Sequence, residues 1–207
     1  MFKKARLLLA ISLIGMSLLT GDAIHRQQTL MSVERQGIRY SLVAAQGHRW
    51  LAIEDPVGSK PYTNDLTVLQ PYRLDVVDVD QDGQEDIVIG VMKSTHFDAS
   101  MKPRVFVFNY HQGKLIKKWT GSALGDAMLD YRCVPSTTEK PCLLMVIDQG
   151  EDEEGQRLKA FQWFNFGFVM IAQSEAVVGL KFEQSELADA DVTKGQWLIE
   201  RDKIVWQ

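Results

Sequence analysis

Leu74-Asp75-Val76-Val77-Asp78-Val79-Asp80-Gln81-Asp82-Gly83-Gln84-Glu85-Asp86-Ile87-Val88-Ile89-Gly90-Val91 is the stretch that decides the fold class. An apolar, β-branched run enters a nine-residue acidic loop, and a second such run leaves it; β-branched side chains suit a pleated, buried surface better than a helix. Asp78, Asp80, Asp82 and Asp86 stand at loop positions 1, 3, 5 and 9, with Gly83 at position 6 and Gln84 at position 7. Alternate aspartates on a tight coil converge their carboxylates, glycine permits the sharp turn, and the Gln84 main-chain carbonyl adds an oxygen; this set suits Ca2+, a hard cation taking six to eight oxygens. Magnesium prefers fewer protein oxygens and retains its water. The helix-loop-helix calcium motif requires Glu at position 12, where Ile89 stands. The site is therefore of strand-loop-strand type.

Outward from the loop the apolar pattern stays short and is broken by turn residues, with no long segment at helical spacing. Strands are predicted over 37–45, 48–54, 72–77, 86–92, 104–110, 114–119, 141–148, 158–165, 168–173, 179–183, 196–201 and 203–206. Glycine is expected to take positive φ in the turns His111-Gln112-Gly113-Lys114 and Phe166-Gly167. Displacing the chain on itself by 129 − 74 = 55 positions sets Leu74-Asp75 over Leu129-Asp130, Val88-Ile89 over Leu143-Leu144, Phe106 over Phe161, Phe108 over Trp163, and Leu115-Ile116 over Met170-Ile171. Each unit, about 70–123 and 125–178, reads as strand, loop, strand, long loop, strand, hairpin, strand, the content of one four-stranded propeller blade. Worn copies are expected before and after them, with Asp189-Ala190-Asp191 and Gly195 as the remnant of another loop.

The stretch 74–91 resembles the calcium-loop core of the FG-GAP/VCBS repeat family, the blades of integrin-α-type β-propellers, whose loops read Asp-x-Asp-x-Asp-Gly-x-x-Asp between two strands. The resemblance implies Asp78, Asp80, Asp82 and Asp86 as side-chain ligands and Gln84 as a main-chain ligand. It implies an all-β, propeller-like array of four-stranded blades, about three to four units with some degenerate. The chain is too short for seven blades, so the array is an incomplete propeller in this reading.

The whole chain has 207 residues, of which 45% are hydrophobic and 24% charged, the make-up of a globular domain. Lys3, Lys4 and Arg6 precede an uncharged apolar run over 7–19, and Gly21 and Ala23 offer a small-residue cleavage site. This is the form of a secretory signal, residues 1–23, followed by one domain over 24–207. The run is short of the roughly 20 residues a membrane span needs, and an uncleaved anchor is the rival reading. The expected location is secreted or periplasmic. A net charge of −4, with no basic cluster longer than Lys117-Lys118, excludes nucleic-acid wrapping, which needs phosphate neutralisation.

Cys133 and Cys142 are the only cysteines, and an oxidising compartment favours their pairing. The 55-residue displacement puts Cys133 on Asp78 and Pro141 on Asp86, with Cys142 next to it. A Cys133–Cys142 disulfide is therefore expected to clamp in the second unit the turn that calcium clamps in the first. His25, His48, His96 and His111 lack zinc-ligand spacing, and no Gly-x-Ser-x-Gly elbow, phosphate loop or dinucleotide fingerprint occurs. Glu151-Asp152-Glu153-Glu154 reads as a solvated acidic loop. Within Phe161-Gln162-Trp163-Phe164-Asn165-Phe166-Gly167-Phe168, the alternate positions Phe161 and Trp163 read as core, against a rival reading as a sugar-stacking platform. The long connection 93–103 is the candidate partner surface. The functional expectation is a non-catalytic binding or interaction module for a protein or glycan partner outside the cytoplasm, with structural calcium. The alternative is an enzyme or accessory domain acting on extracellular polysaccharide.

Overall fold

A computed structural model describes residues 27–56, 62–96, 98–121, 124, 125, 127–135, 141–149, 155–182 and 197–206. The expected signal peptide, the acidic run 151–154 and the Asp189–Gly195 remnant lie outside the described residues. Within them the chain is all-β, and its single helical element is a short 3-10 turn, Thr67–Leu69.

Among the described residues fourteen strands form three sheets. Strands β1 (Gln28–Arg35), β2 (Ile38–Ala45), β3 (His48–Glu54) and β4 (Tyr62–Asp65) make the first, paired in chain order. The second has β5 (Pro71–Val77), β6 (Asp86–Lys93), β7 (Lys102–His111) and β8 (Lys114–Thr120), again in chain order. The third has β9 (Met128–Val134), β10 (Leu143–Gln149), β11 (Gln156–Phe164) and β12 (Gly167–Gln173), extended by β14 (Lys203–Trp206) and β13 (Trp197–Glu200). Neighbours are antiparallel except β12 and β14, which meet at Gln173 and Lys203. Among the described residues no sheet closes on itself.

Alternation explains how the sheets stack, because successive side chains point to opposite faces. Leu74, Val76, Ile87, Ile89, Val91, Phe106 and Phe108 of the second sheet share a core with Tyr40, Leu42, Leu51 and Ile53 of the first. The intervening Val77, Val88, Val105 and Val107 share another with Tyr131, Cys133, Leu144, Val146, Phe161 and Trp163 of the third. The middle sheet is thus covered on both faces, and this accounts for the unbroken apolar run from Ile87 to Val91. A third core lies on the far face of the third sheet, where Met145, Ile147, Leu158 and Ala160 meet Ala172 and Ile204. Each fully buried aliphatic side chain contributes roughly 1.5–3 kcal/mol. The first strands also touch between sheets: β5 lies against β1, and β9 against β5.

The internal repeat is real in element content but not gapless. Phe106 and Phe108 correspond to Phe161 and Trp163 as expected, each pair facing the preceding sheet. In the first strand, however, Leu129 is 44% exposed where Leu74 is buried, and Tyr131 takes the core position. The two-residue slip has a local cause: the connection 94–101 is two residues longer than 150–155.

Turn chemistry holds at one expected hairpin and moves at the other. Gln112 and Gly113 both have positive φ, 49° and 75°, the pair of values a tight turn between right-twisted strands requires. In the other hairpin Asn165 takes the positive φ, 55°, while Gly167 opens β12, where an added Cβ would lie 3.3 Å from the Trp119 indole nitrogen. The strand expected at 179–183 does not form over its described residues; Leu180 and Phe182 instead pack onto the third core.

Candidate metal centre

The 78–86 loop joins β5 to β6, whose ladder ends at the pair Val77–Asp86. Asp86 is therefore both loop and strand, and it is fully buried. The coil between uses two left-handed residues, Gln81 at φ 61° and Gly83 at φ 86°. The carboxylates then bind the loop's own backbone. Asp78 accepts from the amides of Asp82 (3.1 Å) and Gly83 (2.8 Å), and Asp86 accepts from that of Val79 at 3.1 Å. Val79 is buried in the core between the second and third sheets and anchors the loop from below.

Three of the four expected side-chain ligands converge. Carboxylate oxygens of Asp78, Asp80 and Asp86 lie within 4.8 Å of one another. Asp82 does not join them, because its Oδ1 accepts from the Gln84 amide at 2.8 Å, a local turn that competes with convergence. Asp82 and Gln84 are both exposed.

Two residues not foreseen from the sequence complete the site. Asn109 of β7 stands opposite Asp86 in the ladder and donates to its Oδ1 at 2.6 Å. Lys118 of β8 places its ammonium 3.0 and 2.9 Å from the two Asp86 oxygens and 2.7 Å from Asp80. That ammonium also lies 5.6 Å from the centre of the Trp163 ring. A polar Asn after the apolar run of β7 was the available signal for the first; Lys118 carried no signal beyond its charge.

Burial pushes the Asp86 carboxyl upward, and the Lys118 and Val79 bonds only partly offset that cost. Burial also works against the Lys118 charge, but the Asp80 and Asp86 carboxylates outweigh it and raise its pKa. Two carboxylates thus surround one ammonium. Glu85 is likewise raised by burial.

The donor set fits a hard cation. Oδ1 of Asp80 and Oε2 of Glu85 are buried without a hydrogen-bond partner, so acceptor capacity is left over after all the bonds above. Asp78, Asp80 and Asp86 would hold Ca2+, which would neutralise the mutual repulsion of the carboxylates.

The structure shows no bond between the two cysteines. Both are free, buried thiols. Cys133 lies inside β9, opposite Leu144, facing the core between the sheets. It corresponds to Val76 of the first unit and not to a loop position. Cys142, just ahead of β10, is buried in the same core. Burial raises both thiols, Cys142 to about 12.

The aromatic segment divides. Phe161 and Trp163 are core, and Phe168 packs edge-on against Trp163 and Trp119. Phe164 and Phe166 are 65% and 85% exposed at the hairpin tip. The connection 93–103 is pinned by Arg104, whose guanidinium donates to the carbonyls of Lys93 and Gly121 and to Asp98. Phe97 lies outside the described residues. No protein-family model, curated protein or solved structure matches the chain.

Proposed function

We propose that this chain is an exported, non-catalytic binding or interaction module, built as an incomplete propeller-like array of four-stranded blades and fastened at 78–86 by structural calcium. The observation that carries the metal part is the convergence of Asp78, Asp80 and Asp86 within 4.8 Å between two buried strands. Propeller-like architecture draws support from three successive four-stranded meanders stacked face to face, with the first strand of each beside that of the next. Resemblance of the loop to the FG-GAP/VCBS repeats points the same way.

For the binding surface, the exposed Phe164 and Phe166 at the tip of the β11–β12 hairpin are the residues we assign to a protein or glycan partner. Aromatics offer large contact area at small entropic cost. The reading as a polysaccharide-active enzyme has less behind it. The clefts at Arg157, Glu175, Asp202 and Lys203 and at Glu34, Arg39 and Glu54 are about 190 and 260 Å3, below the roughly 300 Å3 of ordinary ligand pockets. Neither is lined by a residue of the acidic loop. Among the described residues no helix is long and apolar enough to cross a membrane.

Thermal melting of the protein with calcium titrated into the millimolar range tests the metal assignment. A ligand of the folded state must raise the melting temperature, and the rise should vanish in Asp80→Asn. A melting point indifferent to calcium at every concentration would remove calcium from the reading.

A further inference from the structure

Lys118 lies on the last strand of its sheet, 32 residues from Asp86 in sequence, yet its ammonium reaches the point on which two of the proposed calcium ligands converge. It is within 3.0 Å of both oxygens of Asp86 and within 2.7 Å of Asp80. Asp86 is fully buried and Lys118 is only 14% exposed at its side chain. A buried carboxylate without a cation is costly, and removing one member of a buried pair leaves the other uncompensated. The chain therefore carries its own cation at the loop.

We propose that Lys118 is the resident cation of the 78–86 loop in the metal-free protein, and that calcium enters by displacing its ammonium. The inference rests on the calcium reading above and deepens it. A monovalent ammonium satisfies Asp86 and one oxygen of Asp80, while the other Asp80 oxygen stays buried and unpartnered. A divalent ion would use the oxygens that Lys118 holds together with that spare one. Two like-signed charges do not share so small a space, so binding the metal requires the ammonium to leave. The metal-competent state is then a minor one, and apparent affinity is weakened by the fraction of loops from which Lys118 has withdrawn. The indole face of Trp163, already 5.6 Å from the ammonium, offers the displaced charge a favourable neighbour. Because Trp163 belongs to the third sheet, the exchange also couples the loop to the packing between sheets.

The loop accordingly has two fastenings, one covalently tethered and one dissolved, which compete. The protein folds with a closed loop at low calcium, and a metal of high concentration tightens it further.

The test has two arms on the full chain. In the first, calcium affinity is measured by calorimetry for wild type and for Lys118→Met and Lys118→Gln; the glutamine variant keeps hydrogen bonding if the methionine variant does not fold. Both variants should melt lower than wild type in chelator, and should bind calcium on the order of tenfold or more tightly. In the second, wild-type lysines are acetylated with and without calcium and read by mass spectrometry. Lys118 should be protected in chelator and become reactive at saturating calcium. Calcium affinity equal in wild type and variants, with Lys118 protected throughout, would overturn the displacement and leave the calcium reading standing. Absence of calcium binding in wild type and in both variants would overturn both.

Discussion

Replacing Gly90 by alanine tests the stacking of the second and third sheets directly. Gly90 lies in the middle of β6 on the face turned to the third sheet. A Cβ built there would sit 2.7 Å from Cε1 of Tyr131 and 2.8 Å from Cζ of Tyr72. In an open strand Gly90→Ala should stabilise, by about 0.5–1 kcal/mol from reduced chain entropy and about 0.8 kcal/mol from the buried methyl. Here the rings cannot step aside cheaply. Tyr131 is fully buried, and its hydroxyl donates to the Val88 carbonyl at 3.1 Å. Overpacking of this kind costs about 1–3 kcal/mol, enough to reverse the sign, and for a chain of this size each kcal/mol lowers the melting temperature by about 2–4 °C. Urea unfolding of Gly90→Ala, Tyr131→Leu and the double variant gives the coupling. The alanine should destabilise the wild type by about 2 kcal/mol and cost measurably less once the Tyr131 ring is gone, the Tyr72 ring still standing 2.8 Å from the new Cβ. A Gly90→Ala protein more stable than wild type would refute the packing of Tyr131 on β6, and with it the stacking of the two sheets.

Other consequences follow from the buried polar groups. Asp148 and Lys159 form an ion pair between β10 and β11 that is almost wholly buried, so Lys159→Met alone should cost about 3–5 kcal/mol in urea unfolding, and adding Asp148→Leu should recover a large part of it. Burial raises the Asp75 pKa, offset in part by the Cys133 amide and by Arg73 and Arg132. A raised acid is a cost to the folded state at neutral pH, and that cost fades as pH falls through the folded value toward the ordinary 3.8. Asp75→Asn should therefore be favoured over wild type more at pH 7 than at pH 4; a constant difference across that range would contradict the burial argument. With both thiols buried and Cys142 raised to about 12, Ellman's reagent at pH 8 should titrate them only after denaturation. Immediate reaction of the native protein would contradict the placement of the two cysteines, and absence of thiol after denaturation without reductant would show that they pair.

Much of the architecture was legible because period-two alternation and turn residues are local. The strands at β3, β6, β7 and β8 fall within two residues of their expected bounds. Three strands went unseen for identifiable reasons. Gln28–Arg35 and Tyr62–Asp65 are mostly polar because they lie at the edges of the first sheet, and Met128–Val134 interrupts its apolar positions with Asp130 and Arg132. Asp130 is there to receive Arg73 from β5, bidentately at 2.7 and 2.5 Å, a partner 57 residues away that no local pattern reveals.

Sequence alone determined the β class, the Asp78–Asp86 loop and the repeat of element content, since each depends on residues close together in the chain. Tertiary structure decided the rest. It determined which face of each strand is buried, and so moved Cys133 from a loop clamp to a core thiol. It turned Asp82 onto its own backbone. It also brought Lys118, from the far edge of the same sheet, into the carboxylates that the loop pattern reserved for a metal. The physical reason is common to all three: a loop pattern fixes which oxygens are available, while the cation that satisfies a buried carboxylate is chosen by whatever charge the fold brings within about 3 Å of it.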